Sequence, residues 1–259
     1  MKRLPPLLWL LKIKANLLKT LYINFHYFPF LTAIKLPIIL VGKVHLGSCK
    51  TGKIVLRSNP CFAMVVIGRT NLPNVNKSMT AFRIEGTIEL SDHIRIMNGC
   101  SIHVSKGALL SIGKQVLINV QVRIWCRKKI SIGNYCRIAW DCQLFDSNFH
   151  FMVDSDGYTK RPTGEITIGD NCWLGNRCTI NKGSRLPNYT IVAAGSIVNK
   201  DFSECGEACT IGGVPAKYIS QGYRRIINCN KEKEISEAFM DPAIDSYYVG
   251  TDDSLFHWF

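Results

Sequence analysis

The sequence predicts an all-β fold: a coil built from flat sides six residues long, with a helical segment before it and a short tail after it. Three observations predict this. Aliphatic residues recur every six positions, at Ile168, Leu174, Ile180, Leu186, Val192 and Val198. The two residues after each aliphatic are mostly small or polar, as in Gly169-Asp170, Gly175-Asn176 and Asn181-Lys182. Four positions after each aliphatic stands a small residue: Cys172, Cys178, Ser184, Thr190 and Ser196. A strand repeats every two residues and a helix every 3.6 or so, and a period of six is neither. It suits a coil in which each side points one aliphatic inward and turns at Gly, Asn or Asp. Stacked coils pair their backbones along the axis and bury a column of Ile, Leu and Val, which a single coil cannot do.

The same frame runs upstream. Ile132, Ile138 and Leu144 are six apart, with Cys136 and Cys142 in the small position. Ile112, Ile118 and Ile124 precede them, and a step of eight leads on to Ile132. Leu90, Ile96 and Ile102 form a further run, with Cys100 in the small slot. From Leu144 to Ile168 is 24, four sixes, but the residues between do not fit the frame. They predict a loop over about 145–165, pushed out of a coil that spans 42–219.

Composition bounds the function. The chain has 259 residues, 47% apolar and 20% charged, which excludes a disordered chain. The net charge of +13 is uneven: from Lys231 onward there are 2 basic and 7 acidic side chains, against 30 and 12 before it. A body that basic suits a polyanionic partner, either a membrane surface or a phosphorylated ligand. Nucleic acid is not expected, because no recognition motif accompanies the charge. There are 11 cysteines, no cleavable leader pattern, and no uninterrupted apolar run of about 20 residues. These features predict a reduced, cytoplasmic protein. Buried small thiols are favoured over a metal site or disulfide for the in-frame cysteines, since free Cys packs as a small apolar residue.

The two ends lie outside the frame. In residues 1–41, Leu7 to Tyr27 reads as a helix after Pro5-Pro6, carrying Lys12, Lys14 and Lys19. Two readings fit it: a basic amphipathic segment on an anionic membrane, at its inner face, or a helix packed across the end of the coil. Residues 220–259 form an acidic tail with a short helix around Lys231–Met240 and an aromatic end at Leu255 to Phe259.

Three segments carry a family resemblance: Ile168-Gly-Asp-Asn-Cys-Trp-Leu-Gly-Asn-Arg-Cys-Thr-Ile180, Ile191-Val-Ala-Ala-Gly-Ser-Ile-Val-Asn-Lys200 and Gly212-Gly-Val-Pro-Ala-Lys217. In order and spacing they resemble the hexapeptide-repeat acyltransferases, most of all the branch that O-acetylates sugars, with its maltose, galactoside, nodulation and polysaccharide-cluster enzymes. The resemblance is strong from about Ile130 to Ile219. It implies a left-handed parallel β-helix, a homotrimer with active sites between neighbouring subunits, and acetyl-CoA as donor without a metal.

Acetyl transfer from a thioester to a hydroxyl needs a base, donors for the developing oxyanion and a groove for the CoA arm. The resemblance places the base at His150, in the loop that breaks the frame; imidazole titrates near neutral pH and suits the task. Asp146, four residues earlier, is a candidate to orient that ring, with Asp141, Asp154 and Asp156 as alternatives. Asn176 falls where similar enzymes face the thioester carbonyl, in several of them with Ser. Trp173, Gly175, Ala193 and Ala194 match positions beside the cofactor, Gly195 lies next to them, and Lys200 and Lys217 match positions near its phosphates. Tyr158 and Trp140, with Trp125, are candidates to stack on the acceptor sugar.

The expected function is acetyl-CoA-dependent O-acetylation of a saccharide hydroxyl, in the making of a surface or capsular polysaccharide. Sugar N-acylation and a non-catalytic, glycan-binding β-helix are the alternatives. A zinc hydratase on the same scaffold needs three histidines, and His93, His103 and His150 lack the spacing.

Overall fold

In the computed structural model, which describes residues 5–47, 51–69 and 78–256, the period of six becomes a coil with three flat faces. Each step of six carries the chain round one corner. Ile168 lies on the third face, Leu174 on the first, Ile180 on the second and Leu186 on the third again. Among the described residues the faces are sheets of nine, seven and six strands. Pairing from turn to turn is parallel and in register, as in Ile132↔Ile168↔Leu186 and Ile138↔Leu174↔Val192. Each of these aliphatics is buried, so one apolar column fills the coil.

The corners explain the residues beside each aliphatic. At the corner between the third and first faces, Asn188 Oδ1 accepts the Asp170 N–H at 2.8 Å. Asp170 Oδ1 accepts the Asn134 N–H at 2.7 Å, and Asn134 Oδ1 the Lys114 N–H at 2.8 Å. A short acceptor side chain in each turn thus satisfies a backbone donor of the turn before. The in-frame cysteines are buried free thiols. Each donates to a carbonyl of the next turn: Cys136 to Gly169 at 3.0 Å, Cys172 to Pro187 at 3.1 Å, Cys142 to Gly175 at 3.0 Å and Cys178 to Ala193 at 3.1 Å. Burial disfavours the thiolate, pushing Cys100 up to about 12. Among the described residues no group of three His, Cys, Asp or Glu is placed to hold a metal ion.

At the N-terminal end the coil starts earlier than the boundary at 42. Ile38–Leu40 is already a strand of the first face, paired with Val65–Ile67 and fully buried. The apolar stretch Leu36–Val41 is therefore coil rather than part of the helical segment. The single helix expected over Leu7 to Tyr27 is two, α1 (Pro6–Lys12) and α2 (Leu17–Tyr27), and a short α3 (Phe30–Ala33) follows them. Lys14, at φ 55°, and a bridge from Ala15 to Val41 break it between α1 and α2. Helix α2 covers the open edge of Ile38–Leu40. Asn24 Oδ1 accepts the Ile38 N–H at 3.1 Å, and Thr20 Oγ1 accepts the Leu40 N–H at 3.0 Å. An edge strand that would otherwise template aggregation is thereby saturated by side chains.

The parallel coil ends in an antiparallel hairpin, Cys209–Gly213 with Ala216–Gln221. The chain then turns back, with α4 (Cys229–Ala238) beginning two residues before the expected Lys231 because Asn228 caps it. The Ile227 N–H donates to the Leu255 carbonyl at 2.8 Å, and Phe256 is buried under the Arg224 guanidinium, 4.1 Å from its ring centre. The last three residues of the aromatic end lie outside the described residues. No described helix is long and apolar enough to cross a membrane.

Candidate active site

The step of eight between Ile124 and Ile132 widens one corner, between the second and third faces. One turn later the chain leaves the coil at this same corner. Asp146 is the first residue out. Its side chain is fully buried and accepts the N–H groups of Arg127 at 2.7 Å, Lys128 at 2.7 Å and Lys129 at 2.8 Å. The widened corner is thus closed by one carboxylate. Burial and then the Asp146 charge push the neighbouring Cys126 thiol upward. At the return, Glu165 pairs with Lys128 at 3.2 Å and Lys129 at 3.7 Å, and the Lys128 contact leads in holding its carboxyl below the usual range. Between these anchors the excursion is a small hairpin. Ser147 bridges Thr163 and Val153 bridges Thr159, while Asp154 Oδ1 accepts the N–H groups of Tyr158 at 2.8 Å and Asp156 at 3.2 Å.

His150 stands on this hairpin, exposed to solvent. Its backbone is set by Phe149, which adopts a left-handed φ of 63° and packs its ring edge-on against Trp125 at 5.3 Å and Phe145 at 5.8 Å. Aromatic packing on the second face therefore fixes where the histidine emerges. With Asn148, Asp154, Tyr158, Lys160 and Lys182, His150 lines a cavity of about 200 Å³. Its imidazole makes no hydrogen bond among the described residues.

The residues of the expected site lie in different surroundings. Asp146 does not face His150; the corner takes both of its oxygens. Asp154 is the carboxylate that shares the cavity, although one oxygen is committed to the hairpin tip. Tyr158 shares the cavity too, whereas Trp140 does not. Trp140, Asn176 and Ala194 hold equivalent positions of successive turns at the corner between the first and second faces, two residues beyond the paired column Ile138, Leu174 and Val192. There the Asn176 carbonyl accepts the Gly195 N–H at 2.8 Å.

Gly175 is required by the coil itself. A Cβ on it would lie 2.7 Å from the Ala194 nitrogen and 2.9 Å from the Val192 oxygen, so close packing of the next turn of backbone is enough to demand glycine here. Ala193 belongs to the same ridge, against Gly212, and Lys217 pairs opposite Gly212 in the terminal hairpin. Trp173 lies on the flat of the first face, with the Arg225 guanidinium of the C-terminal segment 5.7 Å from its ring centre. Lys200 follows the strand Ile197–Val198 at the His150 corner, its Nζ 5.0 Å from the Phe202 ring centre, away from the other cofactor candidates.

Within one chain, then, His150 and Asn176 occupy different corners. Sequence reasoning missed Asn148, Lys160 and Lys182 in the cavity wall. Lys182 had a signal: Asn181 pairs with Phe145 in the register of the frame, which sets Lys182 beside the point where the loop departs.

No protein-family model matches the chain. Among characterised proteins, it is 29% identical over 122 residues to the galactoside O-acetyltransferase of Escherichia coli (strain K12), covering 46% of this chain and 58% of that enzyme. It is 27% identical over 129 residues to the polysialic acid O-acetyltransferase of Neisseria meningitidis, covering 46% of this chain and 60% of that one. The chain thus spans less than two thirds of the length of either relative. Its fold is that of the polysialic acid-specific acetyltransferase NeuO, with a TM-score of 0.52 and 20% identity over 82% of this chain and 91% of that one. That fold is the left-handed parallel β-helix. In sequence and in fold, this chain is like the hexapeptide-repeat acyltransferases, on their sugar O-acetylating branch.

Proposed function

We propose that the chain is an acetyl-CoA-dependent O-acetyltransferase acting on a saccharide hydroxyl, in the assembly of a surface or capsular polysaccharide, and that it works as a homotrimer. The observation that carries this reading is His150: a bare imidazole held at a cavity by a hairpin whose two ends are pinned to the coil. In a trimer the His150 corner of one subunit faces the Asn176 corner of the next, which accounts for their separation in the single chain.

The Asn176 corner fits a long donor arm. Along its ridge Ala193 and Ala194 present nothing larger than a methyl group, and Lys217, paired opposite Gly212, offers an ammonium to phosphate. Acetyl-CoA, when bound, supplies the acetyl group as an activated thioester. His150 takes the proton of the acceptor hydroxyl as that oxygen bonds to the acetyl carbon, and returns it to the sulfur as the carbon–sulfur bond breaks. Asn176 donates from its side-chain amide to the oxyanion formed between these steps. Tyr158 offers an apolar face to the sugar ring. Lys160 and Lys182 give the cavity a positive rim, which suits an acceptor carrying carboxylate or phosphate. The working compartment is the cytoplasm, where acetyl-CoA is made available and thiols stay reduced.

Mass spectrometry of glycan from cells with and without the protein tests this reading. The expected result is an added acetyl group that mild alkali removes, as it removes an ester. An alkali-stable acetyl would indicate an amide and an amino-sugar acceptor. Identical glycans, together with no CoA binding by calorimetry, would leave a non-catalytic β-helix.

A further inference from the structure

The outer face of the N-terminal helices has no role in the chemistry above. Helix α2 meets the coil through Thr20, Ile23 and Asn24. On the opposite side of the same helix stand Leu18, Leu21, Tyr22 and Phe25, spaced i, i+3, i+4 and i+7, and Leu18 is 82% exposed. A soluble helix normally turns such a stripe inward and its polar residues outward. Here the polar side chains Thr20 and Asn24 bind the edge strand, and the apolar stripe looks away from the protein. The flanking helices extend it. Leu7, Leu8 and Leu11 of α1 are exposed, as are Phe30, Leu31 and Ile34 in and just after α3, with Phe30 at 68% and Leu31 at 74%. Patches of this extent on soluble proteins mark interaction sites.

Charge identifies the partner. The first 84 residues contain thirteen Lys and Arg and no Asp or Glu. Lys12 and Lys35 are exposed beside the apolar side chains. An apolar stripe flanked by Lys12 and Lys35, in a stretch of sequence without a carboxylate, matches an anionic lipid interface, where acyl chains take the leucines and phenylalanines and headgroups take the lysines. It does not match a second copy of this patch, which would bring like charges together. We infer that α1, α2 and α3 form a docking platform that seats the end of the coil on an anionic membrane surface.

The platform serves both purposes that the sequence left open, since one side of α2 seals the coil and the other meets the lipid. It deepens the proposed function by setting the enzyme where a lipid-linked glycan is presented. In a trimer with parallel coils, three platforms would lie on one end and bind together, adding avidity to weak single contacts.

Co-sedimentation of the purified full-length protein with vesicles tests the inference, without acetyl-CoA or acceptor. Binding is expected to vesicles containing phosphatidylglycerol, with much weaker binding to phosphatidylcholine alone. Leu18→Asp/Phe25→Asp is expected to lower partitioning at least roughly tenfold while leaving the circular dichroism spectrum unchanged, because neither side chain is packed in the core. Lys12→Glu/Lys35→Glu should weaken binding to the anionic vesicles specifically. Equal sedimentation of wild type and Leu18→Asp/Phe25→Asp would overturn the inference. So would a wild type that ignores all vesicles yet self-associates in ultracentrifugation through a contact that Leu18→Asp/Phe25→Asp abolishes. His150→Ala should bind vesicles like the wild type, so failure of the platform and failure of the transferase reading are told apart.

Discussion

Replacing His150 with Ala is expected to reduce acetyl transfer by roughly 10²- to 10⁴-fold, the range of a general base. The loss should fall on kcat, with the melting temperature and the oligomeric mass unchanged. The structure explains why the variant should fold. His150 is exposed, makes no hydrogen bond among the described residues, and leaves the anchoring of its hairpin to Asp146, Phe149 and Glu165. His150→Asn should behave like His150→Ala, since an amide can hold a hydrogen bond in the cavity but cannot carry the proton. Turnover close to wild type in either variant would remove His150 as the base.

Replacing Asp146 with Ala is expected to destabilise the protein by about 3–5 kcal/mol, which for a chain of this size lowers the thermal midpoint by something on the order of 10 °C. The reason is specific to the widened corner. Three backbone N–H groups converge on one buried carboxylate, and removing it leaves those donors unpaired. Asp146→Asn keeps one acceptor oxygen and should lie between the two. Activity should fall in Asp146→Ala along with stability, because the hairpin carrying His150 starts at this residue. Scanning calorimetry or a thermal circular dichroism melt checks the midpoint. An unchanged melt would mean that the corner is held by something else, and would return Asp146 to the catalytic role that its distance from His150 in sequence suggested.

These two aspartate roles show where the sequence speaks plainly and where it does not. The inward aliphatics at period six are legible because every side buries that position; the second buried position two residues earlier, as in Ile130 beside Ile132 and Leu110 beside Ile112, is filled by Cys on other sides and hides from the pattern. The steps of eight and 24 mark the corner where the chain swells and then departs, so the loop is legible as well, while His150 is singled out within it by the family resemblance alone. Asp146 is not. A carboxylate four residues from a histidine looks like a catalytic partner, and only the three-dimensional corner shows three amide donors aimed at it. Gly175 carries a second reason that the sequence does not show: the next turn of the coil passes too close for a Cβ. Left-handed corner residues are also hidden, because His93, Gln115, Tyr135, Tyr189 and Ala208 hold positive φ where Gly or Asn was expected. The stacked turns impose that backbone whatever side chain is present. At the N-terminus, periodicity finds an amphipathic helix but not which way it faces; Thr20 and Asn24 turn inward because the edge strand needs their hydrogen bonds.

Determining a crystal structure of the protein with CoA bound tests the central arrangement most directly. The account predicts three chains about one axis, with the CoA thiol lodged beside Ala194 and Asn176 of one subunit and within reach of the His150 imidazole of its neighbour across the width of one hydroxyl group. A CoA thiol lying far from every His150 ring, or a single chain binding CoA alone with its own His150 turned to solvent, would contradict it.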